Sequence, residues 1–118
     1  MATTESRPAA EVAAAYFDAW RRDDIEAVRP LLHDDVDFAG ALGTTDGIEE
    51  TLQGLGGMFA MTEEVSVVKR WADGPDVITW FEFRTVKAGP IPVVNWSHVE
   101  RGRINRIRVT FDPRPLLA

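Results

Sequence analysis

Residues 63–112 read EEVSVVKRWADGPDVITWFEFRTVKAGPIPVVNWSHVERGRINRIRVTFD, and this stretch decides the fold. It contains four runs rich in β-branched and aromatic residues, which favour extended strands. The four runs are residues 65–71, 77–86, 92–100 and 103–111. Short segments of turn-forming residues separate the runs, at 73–76, 87–90 and 101–102. This spacing predicts four consecutive antiparallel strands.

The residues before this stretch favour helices. In residues 9–22, the apolar side chains of Val12, Tyr16 and Trp20 recur at the helical spacing, which predicts an amphipathic helix. Residues 1–7 precede it and are expected to form a flexible tail. One domain covering residues 8–118 is predicted, because a chain of 118 residues has room for a single core.

A second, short helix is expected from its apolar positions Ile25, Val28 and Leu32. Pro30 lacks a backbone N–H and should shorten the last turn of that helix. Residues 36–38 then alternate between apolar and acidic side chains, which is typical of a brief strand. A brief strand is therefore expected after the second helix.

A third helix is predicted at about residues 47–59, after a loop at residues 40–47. Asp46 followed by Glu49 has the spacing of a capping box, in which side chains satisfy free backbone N–H groups at a helix start. Glycines within this segment weaken the helix by roughly 1 kcal/mol each relative to alanine. They are Gly54, Gly56 and Gly57.

Charge and composition exclude several classes of function. The formal net charge of −6 argues against a general binder of nucleic acids or anionic membranes, since phosphates repel a net anion. The chain has no cysteine, which excludes disulfides, thiolate catalysis and cysteine–zinc sites. No apolar run reaches the length of a membrane span or of a secretory signal, so a cytoplasmic location is the expectation.

Helices followed by an antiparallel meander predict an α+β fold. A curved sheet would wrap around the N-terminal helices as a cone and enclose a pocket. Three local sequence motifs point to one family. They are YFDAW at residues 16–20, LLHDDVDF at 31–38, and GRI at 102–104 leading into RVTFD at 108–112. In these features the chain resembles the nuclear transport factor 2-like superfamily, in its SnoaL-like (polyketide cyclase-like) branch of small bacterial proteins.

The resemblance implies a fold that hosts isomerases, cyclases, epoxide hydrolases, dehydratases and plain binding modules. Ketosteroid isomerases of this fold use a tyrosine on the first helix, which corresponds to Tyr16. Their aspartate base corresponds to Gly40, and their second acid falls near Trp96 or Ser97. The aspartate of cyclases and limonene epoxide hydrolases corresponds to Val109. Because these acid/base positions are empty, the resemblance leaves open whether the protein is an enzyme.

Strand alternation predicts which side chains of residues 77–86 face the pocket. Residues 92–100 can present either face to the pocket, and matching charged side chains with charged side chains places Asn95 and Ser97 inward. The inward set should be mostly apolar with a few hydrogen-bonding groups, the usual make-up of a small-molecule site. The predicted ligand-binding residues are Tyr16, Trp20, Phe38, Met58, Phe81, Asn95, Ser97, Val109 and Phe111. Tyr16 and Asn95 are the candidates to hold a ligand carbonyl or hydroxyl, and the alternative is that each satisfies a buried backbone group.

The candidates for proton transfer are His98 and Asp37. His98 is assigned to the outer sheet face, where its alternative role is an interface or surface histidine, and Asp37 is expected to face water. His33 is interpreted as a favourable charge at a helix end. The histidines have no spacing typical of a metal site, so neither a metal nor a cofactor is predicted.

Trp80, Trp96 and Arg108 are assigned to the same outer face. Two exposed tryptophans on one sheet face would form an unusual apolar patch for a monomer, so a homodimer through this face is predicted. The predicted partner in the pocket is a small apolar molecule. The protein is expected to bind, and possibly convert without a cofactor, a polyketide- or terpenoid-like metabolite. The alternative is a non-catalytic dimeric binding or assembly module.

Overall fold

The structure is a computed structural model that describes residues 8–117. The predicted tail, residues 1–7, lies outside the described residues. The helices are α1 (Ala9–Arg21), α2 (Ile48–Met61) and α3 (Arg114–Leu117), with 3₁₀ turns at Ile25–Ala27 and Arg29–Leu31. The strands are β1 (Leu32–Gly40), β2 (Gly43–Asp46), β3 (Thr62–Asp73), β4 (Asp76–Thr85), β5 (Ile91–Glu100) and β6 (Arg103–Thr110).

The strands form one six-stranded sheet in the order β2-β1-β6-β5-β4-β3. The predicted meander is confirmed, because β3, β4, β5 and β6 follow one another along the chain and pair antiparallel. β1 lies beside β6 and runs parallel to it, so the sheet is mixed and not purely antiparallel as predicted. Helices α1 and α2 pack on one side of this curved, open sheet, which confirms the α+β class.

Two local predictions in the helical half, the short helix and the loop, are wrong. Two 3₁₀ turns replace the expected short helix, and Pro30 lies in the second of them, where its missing N–H limits a longer helix. The predicted loop at 40–47 contains β2, which pairs with β1 from Asp37↔Asp46 to Gly40↔Gly43. The loop prediction fails because pairing with β1 holds residues 43–46 in a strand despite their low strand propensity.

Helix α2 begins without the predicted capping box. Gly47 is its N-cap residue, with φ +85°, and no side chain caps the helix from that position. Glu50 instead accepts a hydrogen bond from the backbone N–H of Asp46, at 3.0 Å. The helix continues to Met61 through all three of its interior glycines.

The core lies between the sheet and the first two helices. Its centre is a set of aromatic rings in mutual contact: Tyr16, Phe17, Trp20, Phe59, Phe81, Phe83 and Phe111. Trp20 stacks on Phe59 with ring centroids 5.4 Å apart and planes 7° apart. Aromatic rings thus fill much of the interior of the cone. Within residues 8–117, no helix is long and apolar enough to cross a membrane.

Candidate functional site

The inner sheet face carries the two polar side chains that were predicted to point inward. Asn95 and Ser97 are each 2% exposed, whereas their neighbours Val94 and Trp96 are more exposed, so the face assignment of β5 is confirmed. The Ser97 hydroxyl donates a hydrogen bond to Asn95 Oδ1 at 2.9 Å. The Ser97 hydroxyl proton is therefore already used within the strand.

Several predicted ligand contacts lie in the packed core. Tyr16, Trp20 and Phe81 are buried among other aromatic rings, and the indole N–H of Trp20 donates to Thr62 Oγ1 at 3.1 Å. Burial raises the pKa of the Tyr16 phenol far above its usual range. Tyr16 therefore stays protonated at neutral pH and can act only as a neutral hydrogen-bonding group. Phe111 packs edge-on against Phe83, with ring centroids 5.8 Å apart.

An apolar cleft of about 360 Å³ opens between α2 and the β1–β2 hairpin. It is named the hairpin cleft here, and Phe38 and Met58, both predicted as ligand contacts, line it. The remaining lining residues are Leu42, Gly43, Thr44, Thr45, Thr51, Gly54, Leu55, Gly57 and Met61. The other predicted contacts, including Asn95, Ser97 and Val109, do not line the cleft. The hairpin cleft thus lies at one side of the cone, between helix and hairpin.

Hydroxyl groups supply the polar atoms of the hairpin cleft. Thr45 Oγ1 and Thr51 Oγ1 are joined by a hydrogen bond of 2.8 Å, and Thr51 is only 1% exposed. Thr44 adds a further, more exposed hydroxyl. None of the described lining residues carries an ionisable side chain. The cleft can therefore hold a hydroxyl or carbonyl oxygen, but its walls offer no acid or base.

His98 lies on the outer face, as assigned from the sequence. Its Nδ1 is 2.7 Å from Asp76 Oδ1, and the indole N–H of Trp96 donates to the same oxygen at 2.8 Å. These two hydrogen bonds, from His98 first and Trp96 second, hold the pKa of the Asp76 carboxyl below its usual value. His98 Nε2 is 3.6 Å from Glu100 Oε1. The His98 ring thus lies between two carboxylates, away from the hairpin cleft.

Asp37 also lies outside the hairpin cleft. Its Oδ1 forms a short ion pair of 2.6 Å with Arg108 Nη1, and both side chains are more than one third exposed. The interpretation of His33 as a helix-end charge is wrong, because His33 belongs to β1 and its Nε2 contacts the Glu100 carbonyl oxygen at 2.7 Å. Among residues 8–117, no three His, Cys, Asp or Glu side chains converge as ligands for a metal.

A family model described as the SnoaL-like domain matches residues 13–107 of the sequence. The chain belongs to the SnoaL-like domain family. No curated protein matches the sequence closely enough to count as a relative.

Solved structures show the same fold. A nuclear transport factor 2-like protein of unknown function from Cytophaga hutchinsonii is 23% identical, with 93% of this chain and 95% of that chain covered and a TM-score of 0.82. A steroid delta-isomerase from Pseudomonas aeruginosa is 22% identical, with coverages of 89% and 80% and a TM-score of 0.78. An LEH-like epoxide hydrolase from M. tuberculosis is 24% identical, with coverages of 92% and 86% and a TM-score of 0.77.

In this SnoaL-like chain, an aromatic ring occupies the space beside the two vacant acid positions. A Cβ atom added to Gly40 would lie 3.0 Å and 3.2 Å from two ring carbons of Phe38, and 3.6 Å from Val109 Cβ. A side chain at position 40 would require the Phe38 ring to shift by a few tenths of an ångström. Phe38 itself lines the hairpin cleft, so an apolar ring lies beside the position where the resemblance implies a base.

Sequence reasoning missed the threonines and Leu55 of the cleft wall. A usable signal was present, because Thr51, Leu55, Met58 and Met61 recur at the three- and four-residue spacing of one helix face. The residues that β2 contributes to the cleft have no such signal, because the short segment Gly43–Asp46 has low strand propensity.

Proposed function

We propose that this protein binds a small, neutral, mostly apolar molecule in the hairpin cleft. The observation that carries the proposal is the lining itself, which combines apolar and aromatic side chains with a few convergent hydroxyls. A volume of about 360 Å³ falls within the range of small-molecule sites, roughly 300–1,000 Å³. A polyketide- or terpenoid-like metabolite has this chemistry.

Binding without proton transfer fits the cleft better than catalysis does. A general base must lie within hydrogen-bond reach of the proton that it abstracts, directly or through one water. Asp37 and His98, the candidate acids and bases, do not line the cleft, and they are engaged with Arg108 and Asp76. The isomerase and the epoxide hydrolase that share the fold support an apolar metabolite as ligand. The resemblance places the acidic residues of such enzymes at Gly40 and Val109, and neither residue has an acidic group.

A direct test uses methionine methyl groups labelled for NMR, because Met58 and Met61 both line the cleft. Neutral terpenoid alcohols and bicyclic phenols are titrated into the protein, and at least one is expected to shift both methyl signals. Gly57→Leu places a side chain into open space on the cleft wall. It is expected to weaken binding by at least about tenfold, which is 1.4 kcal/mol of binding free energy.

Gly56→Ala is the matched control, since position 56 faces Ile25 and does not line the cleft. It should leave the affinity unchanged. The absence of any shift at Met58 and Met61, or binding that survives Gly57→Leu, would contradict the proposal. Recovery of the ligand unchanged after long incubation is expected, and a converted ligand would show that catalysis takes place.

The outer sheet face supports a second part of the proposal, pairing of two copies of the chain. Ile78 lies beside Trp96 and Trp80 beside Val94 in the β4–β5 register, so these four side chains form one apolar block. Trp80 is 45% exposed and Val94 38% exposed. An exposed apolar block of this kind is typical of an interface.

Charge also favours this face over the rest of the surface. Acidic and basic side chains are nearly balanced around the apolar block, whereas the chain as a whole carries a net charge of −6. Those around the block are Asp37, Asp76, Glu82, Glu100, Arg84, Arg106 and Arg108. Two copies can therefore approach here with less repulsion than between more acidic parts of their surfaces. We propose a homodimer with Trp80, Trp96 and Arg108 in its interface.

Sedimentation velocity is expected to show a dimer for the unmodified protein and a monomer for Trp80→Glu, because the new carboxylate would be buried against apolar side chains. Val86→Glu is the matched control, since Val86 is 79% exposed and follows the end of β4. It should leave the dimer intact. A monomer at millimolar concentration of the unmodified protein would overturn this part of the proposal.

A further inference from the structure

A partly buried arginine lies between α1 and the edge strand β3. Arg70 of β3 lies opposite Thr79 of β4 in the strand register, on the inner face of the sheet. Its Nε donates a hydrogen bond to Thr79 Oγ1 at 3.2 Å, and Thr79 is only 1% exposed. The guanidinium carbon lies 5.5 Å from the centre of the Phe17 ring, which belongs to the core. A buried hydroxyl and a core ring thus hold the Arg70 guanidinium in one orientation.

This guanidinium has no carboxylate partner among residues 8–117. Within the same residues, the bond to Thr79 is the one hydrogen bond of the Arg70 side chain, so the N–H groups of both Nη atoms remain available. Other arginines of the fold have an acid: Arg108 pairs with Asp37 at 2.6 Å. Because the chain has 19 acidic residues for 13 basic ones, an oriented arginine without a carboxylate is unexpected here.

A second positive charge lies close to Arg70. Arg21 is in the last turn of α1, and its Nε is 3.5 Å from the Val65 carbonyl oxygen of β3. Burial first, and the positive charge of Arg21 second, lower the pKa of the Arg70 guanidinium, whereas Asp18 acts in the opposite direction. Asp18 pairs with Arg21 at 3.1 Å and compensates its charge, which leaves the charge of Arg70 uncompensated. A partly desolvated charge of this kind is stabilised by an opposite charge beside it.

We propose that Arg70 binds a carboxylate group from outside the described chain, at a site between α1 and β3 that we name the Arg70 site. With Nε engaged by Thr79, the two Nη atoms present N–H groups that match the two oxygens of a carboxylate in a bidentate pair. One carboxylate balances the one uncompensated charge. A phosphate dianion would add a second negative charge close to Asp18, so a carboxylate fits better.

The Arg70 site is separate from the hairpin cleft. The sheet order places β3 at one edge and β2, which lines the cleft, at the opposite edge. The carboxylate is therefore a different ligand from the neutral molecule proposed for the cleft. It can belong to a small carboxylic acid or to an acidic side chain of another protein. A protein segment can also form backbone hydrogen bonds to the edge of β3, which a small acid cannot do in the same way.

The test follows the backbone amide NMR signals of residues 70 and 79 at pH 7 while sodium acetate replaces sodium chloride at constant ionic strength. Acetate is expected to shift both signals to saturation, and sodium phosphate should bind more weakly. Arg70→Gln should weaken acetate binding at least about tenfold. Arg70→Lys keeps the positive charge without the bidentate geometry, so it should also weaken binding. Circular dichroism of each variant shows whether the fold is retained.

Arg103→Gln is the matched control, because it makes the same change of charge at an exposed position of β6. It should leave the acetate affinity unchanged. Shifts that do not saturate, or an equal loss of affinity for Arg70→Gln and Arg103→Gln, would show only general attraction between charges and would overturn the proposal. Phosphate binding tighter than acetate would overturn the assignment of a carboxylate. Full acetate affinity in Arg70→Lys would overturn the bidentate geometry.

A second probe identifies the source of the carboxylate. An acetylated and amidated Gly-Asp-Gly peptide carries the same group on a backbone that can reach the edge of β3. Peptide binding at least about tenfold tighter than acetate binding would support the Arg70 site with an acidic protein segment as its ligand. Equal affinities would support the site with a small carboxylic acid as its ligand. Peptide binding that Arg70→Gln leaves intact would contradict the proposal.

Discussion

Replacing Phe81 by alanine is expected to lower the free energy of unfolding by about 3–5 kcal/mol, the usual cost of removing a buried phenyl ring. Phe81 is 1% exposed and lies at the centre of the aromatic core. Its ring centroid is 4.9 Å from that of Phe17 and 5.2 Å from that of Trp20. The cavity would be lined by rigid rings that cannot easily collapse into it. Urea denaturation followed by circular dichroism measures the change.

Two further variants sharpen this experiment. Phe81→Leu keeps most of the buried apolar volume and should cost clearly less than Phe81→Ala. Val86→Ala alters a side chain that is 79% exposed, and its effect should stay within about 0.5 kcal/mol. A loss below about 1 kcal/mol for Phe81→Ala would show that the aromatic core is not closely packed.

Gly89→Ala is expected to destabilise the protein by at least about 2 kcal/mol, because two penalties coincide. Gly89 has φ +137°, a backbone conformation that side chains with a Cβ rarely adopt. An added Cβ atom would also lie 2.8 Å from Arg84 Cα and 3.1 Å from the Phe83 carbonyl oxygen. Backbone atoms of β4 cannot move away without disturbing the sheet. Thermal and urea unfolding both report the loss.

Gly57→Ala is the opposite case and serves as the internal comparison. Position 57 is helical and open, so alanine should stabilise the fold by about 0.5–1 kcal/mol. The same substitution is thus expected to have opposite signs at two glycines of one chain. A stabilising or neutral Gly89→Ala would show that the turn between β4 and β5 adopts another conformation in solution.

The strands of the meander could be predicted from sequence because the signals for them, residue type, alternation and turn residues, lie within each segment. Alternation in residues 77–86 predicted that Phe81 faces the core, and charge matching chose the face of residues 92–100 that carries Asn95 and Ser97. The burial of these three side chains follows both predictions. The hairpin partner β2 could not be predicted in this way. Its residues, Gly43–Asp46, have low strand propensity and are extended because they pair with β1.

The candidate site was predictable only in part. Phe38 and Met58 were predicted as ligand contacts and line the hairpin cleft. Tyr16, Trp20 and Phe81 were predicted as contacts because they face the interior, which they do, but they fill that interior with one another. Inward direction follows from periodicity, whereas free volume depends on how every neighbouring side chain packs.

By itself, the sequence determined the α+β class, the order of the helices and the meander, and, by alternation and charge matching, the inner and outer faces of the central strands. Each of these depends on residue type and local period. Only the tertiary structure decided that β1 runs parallel to β6, that His98 meets Asp76, and that an apolar cleft opens between α2 and the hairpin. These depend on contacts between residues far apart in the chain, which no local pattern encodes.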